Sequence, residues 1–184
     1  MNPITVPTRD QVSPANQALF DQLTKGLGFV PNLYATLAHS ENALGSYLAF
    51  QNAKSSITGK AREVVNLVVS QVNECAYCLA AHTAIGGMVG FAPEQILEIR
   101  AGRAGFDVKL DALAKLTRSI ALNRGRAEPA LVEAFFAAGW TTANLVDAIV
   151  VIGDKTVTNY LHATTQIPVD FPAAPALAAP ALAA

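Results

Sequence analysis

The amino-acid sequence predicts an all-α protein, built as a single domain from a bundle of helices. Apolar residues recur at helical spacing in most segments, and helix-capping residues and glycine stops divide the chain into helix-sized pieces. No segment reads convincingly as a strand. The composition, 52% hydrophobic and 15% charged, is typical of one globular domain with a sizeable core.

Capping residues place the first helices. Ser13 followed by Pro14 predicts a helix that ends at Gly26, because serine caps helix starts and glycine ends helices. A turn-rich link leads to Asn32, which can cap a short helix. A further helix is expected over about residues 40–54.

The central segments are predicted to form an antiparallel hairpin of two helices. Residues 59–72 carry an apolar stripe at helical period, although their valine content would also suit a strand. After Asn73, where the chain is expected to turn, the cysteine-bearing segment continues to Gly90.

Four more helices and a tail complete the prediction. The helices are expected at residues 93–102, 107–124, 128–138 and 142–166. Residues 168–184 consist mainly of proline and alanine and predict an extended or disordered tail. The helical domain is therefore expected to span residues 1–167.

Charge and hydropathy argue against several classes of partner. A net charge of −1 and a pI near 6.3 give no electrostatic reason to expect a nucleic-acid partner. No apolar run reaches the roughly 20 residues of a membrane span. No basic region followed by an apolar one opens the chain, so we expect a cytoplasmic protein whose thiols stay reduced.

Both cysteines lie in one short run that ends in a histidine. If the run is helical, Cys75, Cys78 and His82 are spaced i, i+3 and i+7 and project from one face. The imidazole of His82, four residues after Cys78, can accept the thiol proton or stabilise the thiolate. Cys75 lies near the helix start, where the dipole also favours an anion. Both thiols are therefore predicted to be activated.

The histidine needs an orienting group, and the predicted hairpin places Glu63 beside it. A residue ten positions before the turn lies level with one about ten after it, because at about 1.5 Å per residue both lie roughly 15 Å from the turn. A carboxylate there would fix the tautomer of His82 and raise its basicity. Glu74 is nearer in sequence, but it precedes the helix and is interpreted as a charge favourable to the dipole.

A thiolate beside a second thiol and a base predicts peroxide reduction. The thiolate attacks the O–O bond and becomes a sulfenic acid, the second thiol condenses with it to a disulfide, and an external dithiol reopens the disulfide. Two alternatives stay open: the cysteines could be small buried hydrophobes, or Cys75, Cys78, His82 and Glu63 could bind zinc. Covalent haem is excluded because Leu79, not histidine, follows Cys78.

This order of residues resembles the signature of alkylhydroperoxidase D and the peroxidase-related branch of the carboxymuconolactone decarboxylase family. Glu63 is followed twelve positions later by Cys75, then by Cys78 and His82. The flanking residues 29–33, 73–78, 81–83 and 158–160 resemble that branch too. The resemblance covers about residues 26–170.

The resemblance implies an AhpD-like helical bundle that reduces hydroperoxides as an antioxidant protein, without haem, flavin or another cofactor. By position it implies that Cys78 is the peroxidatic thiol, Cys75 the resolving thiol, His82 the base and Glu63 its partner in a proton relay. The implied partners are a hydroperoxide and an external dithiol reductant of the thioredoxin-like or lipoyl type. It also implies a homo-oligomer, a trimer or a hexamer.

The chain departs from the best-studied members of that family at Tyr77, where they carry a histidine. A tyrosine exchanges a proton less readily near neutral pH. The decarboxylases of the family lack the cysteine pair, so lactone decarboxylation is the weaker alternative. A non-catalytic redox-sensing or metal-binding module is the other alternative.

Residues outside the motif are expected to have separate roles. His162 and Tyr160 could approach the thiols from the last helix. His39, at a helix end, is expected to interact with terminal carbonyls. Trp140 and Phe135 lie in an apolar helical context and are expected to be core or interface residues.

Overall fold

The computed structural model describes residues 4–177, and all regular structure in that part of the chain is helical. The predicted all-α class is confirmed. After a short 3-10 turn, Arg9–Gln11, the helices are α1 Pro14–Leu27, α2 Asn32–Leu37, α3 Ala43–Gln51, α4 Gly59–Val72, α5 Ala76–Met88, α6 Pro93–Arg100, α7 Val108–Leu122, α8 Pro129–Ala137 and α9 Thr142–Thr165. None of the described helices has both the length and the apolar character required to cross a membrane.

Helix α4 lies at the centre of the fold. It packs against α5, α6, α7 and α9, and every residue from 63 to 70 is buried. The sequence predicted a one-sided apolar stripe, but the helix is enclosed on all sides and carries buried polar residues such as Glu63 and Asn66. Tertiary packing therefore outweighs the modest helix propensity of its valines.

Several helix boundaries differ from the prediction by a few residues, and two of them have a clear local cause. Helix α1 runs through Gly26 to Leu27 and is capped by Gly28, whose φ of 85° is the left-handed conformation that favours glycine at helix ends. Helix α3 begins at Ala43, not at Ser40. The Ser40 hydroxyl still accepts a hydrogen bond from the Ala43 N–H at 3.3 Å, so it satisfies an early donor from outside the helix.

Three residues, 73–75, connect α4 to α5. The side-chain amide of Asn73 donates to Asn159 Oδ1 of α9 at 2.9 Å, and the Cys75 N–H donates to the Ser70 carbonyl at 3.0 Å. Glu74 is exposed and adopts a φ of 51°. The link that carries the first cysteine is therefore tied to both α4 and α9.

Residues 168–177, called the strap below, run over the helices without regular structure. Asp170 Oδ2 accepts a hydrogen bond from the Asn32 N–H at 2.6 Å, and the Phe171 ring packs 5.6 Å from an aromatic ring of α5. The part of the predicted tail that the structure describes is thus extended and packed on the domain. Its remaining residues, 178–184, lie outside the described residues.

Candidate active site

A cavity of about 520 Å³ lies between α4, α5 and α9 and is also lined by α2, α3 and the strap. This volume suits a small organic molecule. Its polar lining includes Cys78, His82 and Glu63. Its rim is apolar and exposed to solvent at Met88 and Leu27, whose exposed fractions are 84% and 53%.

Cys75 is the N-cap of α5 and not a residue of the helix. Its Sγ accepts a hydrogen bond from the Cys78 N–H at 3.4 Å, and both cysteines are buried free thiols. The predicted helical face therefore holds for Cys78 and His82 only. Cys75 is near Cys78 because it caps the first turn.

The negative charge that this pair of thiols can carry lies on Cys78. A hydrogen bond from the Cys75 thiol lowers the pKa of Cys78; burial opposes this, and Lys155, His82 and Thr158 lower the pKa further. The contact with Cys78, together with burial, raises the pKa of Cys75. The prediction that both thiols are activated is wrong for Cys75, because the helix terminus does not offset the adjacent sulfur and the loss of water.

Glu63 and His82 form a buried pair. His82 Nδ1 donates to Glu63 Oε2 at 2.7 Å, and the Asn66 amide donates to Glu63 Oε1 at 2.8 Å. Burial alone would raise the pKa of Glu63, but the charge of His82, these hydrogen bonds and the charge of Lys155 hold it below its ordinary range. With Nδ1 held by the carboxylate, Nε2 is the ring nitrogen left to exchange a proton.

Helix α9 contributes two cavity residues that were not predicted to act at the site. Thr158 Oγ1 lies 3.8 Å from Cys78 Sγ, and its hydroxyl donates to the Lys155 carbonyl at 3.0 Å. Since a hydroxyl rotates freely, Thr158 can accept from the thiol or donate to the thiolate. The Lys155 side chain lines the same cavity, and the residue is only 3% exposed.

The sequence held a signal for these residues. Within positions 148–161, Asp154 and Lys155 are the only charged residues of an otherwise apolar and polar-neutral helix. Charged side chains are almost never fully buried unless they are paired, so two of them in such a helix indicate a polar site. Their contact with the cysteine region, about 80 positions away in sequence, becomes visible only in the folded chain.

A second buried carboxylate, Asp154, belongs to a closed hydrogen-bond network on the cavity wall. Tyr47 donates to Oδ1 at 2.6 Å, and Arg62 Nη2 lies 3.4 Å from Oδ2. Gln51 donates to the Tyr47 hydroxyl at 2.9 Å and accepts from Tyr34 at 2.8 Å. Burial and the adjacent carboxylate raise the pKa of Tyr47.

Tyr77 connects three parts of the structure. Its hydroxyl accepts from the Leu33 N–H at 3.2 Å. Burial and the nearby Asp170 carboxylate of the strap raise the pKa of Tyr77. Its ring packs 5.5 Å from His162 and 5.6 Å from Phe171. The best-studied members of the resembled family carry a histidine at this position. In this chain Tyr77 instead joins α5 to α2, α9 and the strap.

The other candidates lie away from the cavity lining. His39 and His162 contact main-chain carbonyl oxygens at 2.8 Å and 3.2 Å, and Tyr160 is 61% exposed. Trp140 stacks on the buried ring of Phe135 at 5.5 Å. The expectation that these two aromatic residues belong to the apolar packing agrees with their contacts.

Comparison with known proteins agrees with the resemblance found in the sequence. Residues 40–107 match the sequence model of the Carboxymuconolactone decarboxylase family. No curated protein matches the chain.

Solved structures share the fold over nearly the whole chain. The alkylhydroperoxidase AhpD core, a peroxidase-related protein from Ralstonia eutropha, has a TM-score of 0.81 at 21% identity, covering 91% of both chains. A peroxidase-related protein from a Silicibacter species has a TM-score of 0.74 at 22% identity, covering 92% of this chain and 91% of that one. The debrominase Bmp8, in complex with 2,3,4-tribromopyrrole, has a TM-score of 0.75 at 11% identity, covering 92% of both. The predicted AhpD-like fold is confirmed.

Proposed function

From the resemblance of this chain to the AhpD-like, peroxidase-related branch of the carboxymuconolactone decarboxylase family, we propose that it is a thiol-dependent reductase of organic hydroperoxides. One observation carries the proposal: Cys78, with a lowered pKa, lies in a cavity beside a second thiol and a buried Glu63–His82 pair. A thiolate, a resolving thiol and an oriented base are the groups that the reaction requires.

The proposed reaction begins at Cys78. His82 Nε2 takes the thiol proton, and the sulfur attacks the terminal oxygen of the hydroperoxide, so that an S–O bond forms as the O–O bond breaks. The alkoxide that leaves takes a proton from the imidazolium and departs as an alcohol. The Cys75 thiol then attacks the sulfenic acid, giving a disulfide and water.

The apolar rim supports an organic substrate over hydrogen peroxide. A cavity of about 520 Å³ is much larger than hydrogen peroxide needs, and its exposed apolar side chains can bind the carbon skeleton of a larger substrate. The disulfide must then be reopened by an external dithiol, of the thioredoxin-like or lipoyl type. A reducing cytoplasmic compartment is therefore part of the proposal.

The alternatives find less support. A debrominase shares the fold, so the fold alone does not select peroxides as substrates. Among residues 4–177, no three or more His, Cys, Asp and Glu side chains are grouped so that they could hold a metal ion. A lactone decarboxylase would have no use for the paired thiols of Cys75 and Cys78.

The test is peroxide consumption by the pre-reduced protein. The wild-type protein should consume one cumene hydroperoxide per two thiols lost, and faster than it consumes hydrogen peroxide. Cys78→Ser should abolish consumption, whereas Cys75→Ser should support one turnover and stop at the sulfenic acid. Full consumption by Cys78→Ser would contradict the proposal, and turnover of a lactone substrate by the double cysteine variant would favour the decarboxylase.

We also propose that the protein is a homo-oligomer, and α9 offers a surface for it. Val146, Val150, Val157 and Tyr160 recur at coiled-coil spacing on this helix and are 55%, 41%, 48% and 61% exposed. Light scattering should report a trimer or hexamer for the wild type and a smaller particle for Val150→Asp. Val108→Asp, on α7, is the matched control because Val108 is also exposed. An unchanged mass for Val150→Asp would argue against this surface.

A further inference from the structure

Lys155 is a buried cation without a carboxylate partner. In the described part of the chain, no carboxylate oxygen lies within 4.0 Å of its ammonium group; the ion pairs there involve other residues. The residue is 3% exposed. Burying a charge is costly unless an opposite charge compensates it.

The position of Lys155 identifies the anion that compensates it. Lys155 and Thr158 are three residues apart on α9 and share one face of the helix, and Thr158 Oγ1 lies 3.8 Å from Cys78 Sγ. Lys155 lines the same cavity as Cys78 and Glu63. Both oxygens of Glu63 already accept hydrogen bonds, whereas the side-chain hydrogen bond that the described residues give the Cys78 sulfur is to the neutral hydroxyl of Thr158.

The other charged and titratable groups around the sulfur are largely balanced. Arg62 pairs with Asp154, and His82 pairs with Glu63. The remaining groups near the cavity are neutral phenols or a thiol with a raised pKa: Tyr34, Tyr47, Tyr77 and Cys75. The strap adds Asp170, which acts on the pKa of Tyr77 and accepts a hydrogen bond from the Asn32 N–H.

We propose that Lys155 is the charge partner of the Cys78 thiolate and stabilises the negative charge that moves from sulfur to the leaving oxygen. The second half of this proposal rests on the proposed function. As Cys78–S⁻ attacks HO–OR, the products are Cys78–SOH and RO⁻, and RO⁻ takes its proton from the His82 imidazolium. Lys155 takes no part in this proton transfer and acts through its charge.

The electrostatics of the site support this role. The hydrogen bond from Cys75 lowers the pKa of Cys78, burial opposes it, and the charges of Lys155 and His82 lower it further. A lysine from a different helix therefore acts on the thiol alongside the imidazole of its own helix.

The first test titrates the thiol without any peroxide. Thiolate absorbance near 240 nm and the rate of alkylation by iodoacetamide are followed against pH for wild type, Lys155→Met and Lys155→Arg. Lys155→Met removes the charge at nearly constant volume, so its alkylation rate at pH 6 should fall on the order of tenfold. Lys155→Arg should restore most of the rate. Lys115→Met, on the exposed face of α7, should match the wild type.

The second test uses the charge of the reagent. Relative to glutathione, wild-type Cys78 should favour iodoacetate over iodoacetamide, and Lys155→Met should lose that preference. A pH profile and a reagent preference unchanged in folded Lys155→Met would overturn the proposal. If that variant does not fold, as judged by circular dichroism, a wild-type preference no greater than that of glutathione overturns it alone.

The outcomes separate this inference from the proposed function. A shifted thiol titration in Lys155→Met with no peroxide consumption by the wild type would support the charge pairing and reject the reductase. Rapid peroxide consumption that Lys155→Met retains, with an unshifted titration, would support the reductase and reject the role of Lys155.

Discussion

Two buried carboxylates are used in different ways: Glu63 lines the cavity, whereas Asp154 is bonded to Tyr47, which lines it. Asp154 lies in a closed network in which Tyr47, Gln51 and Tyr34 direct their side-chain hydrogens at protein acceptors. Glu63 is equally well bonded, but its partner His82 keeps one ring nitrogen free of the carboxylate, in a cavity that also holds Cys78.

The two carboxylates therefore contribute to different properties, one to the stability of the fold and the other to the reaction. A saturated network holds helices together because breaking it leaves buried groups unpaired. A bonded carboxylate that orients a histidine transmits its effect to whatever the histidine faces. Glu63 should therefore matter most for reaction rate, and Asp154 most for the free energy of unfolding.

The largest expected effect is on the reaction rate of Glu63→Gln. Glutamine can still accept from His82 Nδ1, but it cannot stabilise the imidazolium, so the rate of Cys78 oxidation by cumene hydroperoxide should fall on the order of 100-fold. Stopped-flow measurement of the sulfenic-acid step checks this. Asp154→Asn is the matched control and should stay within about threefold of the wild type, since its network does not include Cys78. Equal losses of rate in both variants would contradict the different roles assigned to Glu63 and Asp154.

The next effect is on stability. Asp154→Ala removes the acceptor of the Tyr47 hydroxyl and should lower the free energy of unfolding by about 2–3 kcal/mol, because a buried donor is left unpaired. Tyr47→Phe removes the donor, leaves the Asp154 carboxylate and the Gln51 amide without this hydroxyl, and should also cost about 1–3 kcal/mol. Urea unfolding measures both values. A smaller loss for Asp154→Ala than for Glu63→Gln would reverse the assignment of roles.

The pH dependence of stability provides a third check. The pKa of Glu63 is lower in the folded protein than its ordinary value, so the pair with His82 stabilises the fold above about pH 4.3, the unfolded value. That contribution is lost as the pH falls through the folded pKa. Thermal unfolding between pH 7 and pH 3 should show a steeper loss for wild type than for Glu63→Gln. Parallel curves would mean that the pair contributes nothing.

The smallest effect is expected at the strap. Phe171 lines the cavity and packs on Tyr77, so Phe171→Ala should widen the cavity and change the rate for cumene hydroperoxide by a few fold, with little change for hydrogen peroxide. Paired rate measurements with the two peroxides test this. Equal changes for both would place the effect on the thiol itself.

The sequence predicted most of what depends on local order. The helical period of residues 59–72 and the turn at Asn73 are local features, and simple counting along two paired helices brought Glu63 to His82. The features that the sequence did not predict depend on packing between distant parts of the chain. Lys155 and Thr158 come from a helix about 80 positions downstream, and the strap folds back onto Asn32.

Cys75 shows how a local rule can fail. The helix start was expected to favour its thiolate, but the backbone hydrogen bond from Cys78 does not offset the sulfur beside it and the loss of water. Competition between two adjacent thiols cannot be deduced from spacing alone. It depends on which thiol donates to the other, on burial, and on the charge of Lys155, which the fold brings from α9.

The most direct test of the central claim is a stoichiometric titration of the reduced protein with cumene hydroperoxide, followed by mass spectrometry of the peptides that carry Cys75 and Cys78. The account predicts one Cys75–Cys78 disulfide per peroxide, with a sulfenic acid on Cys78 alone when Cys75 is serine. Unoxidised cysteines after excess peroxide, or a sulfenic acid on Cys75 while Cys78 stays reduced, would contradict it.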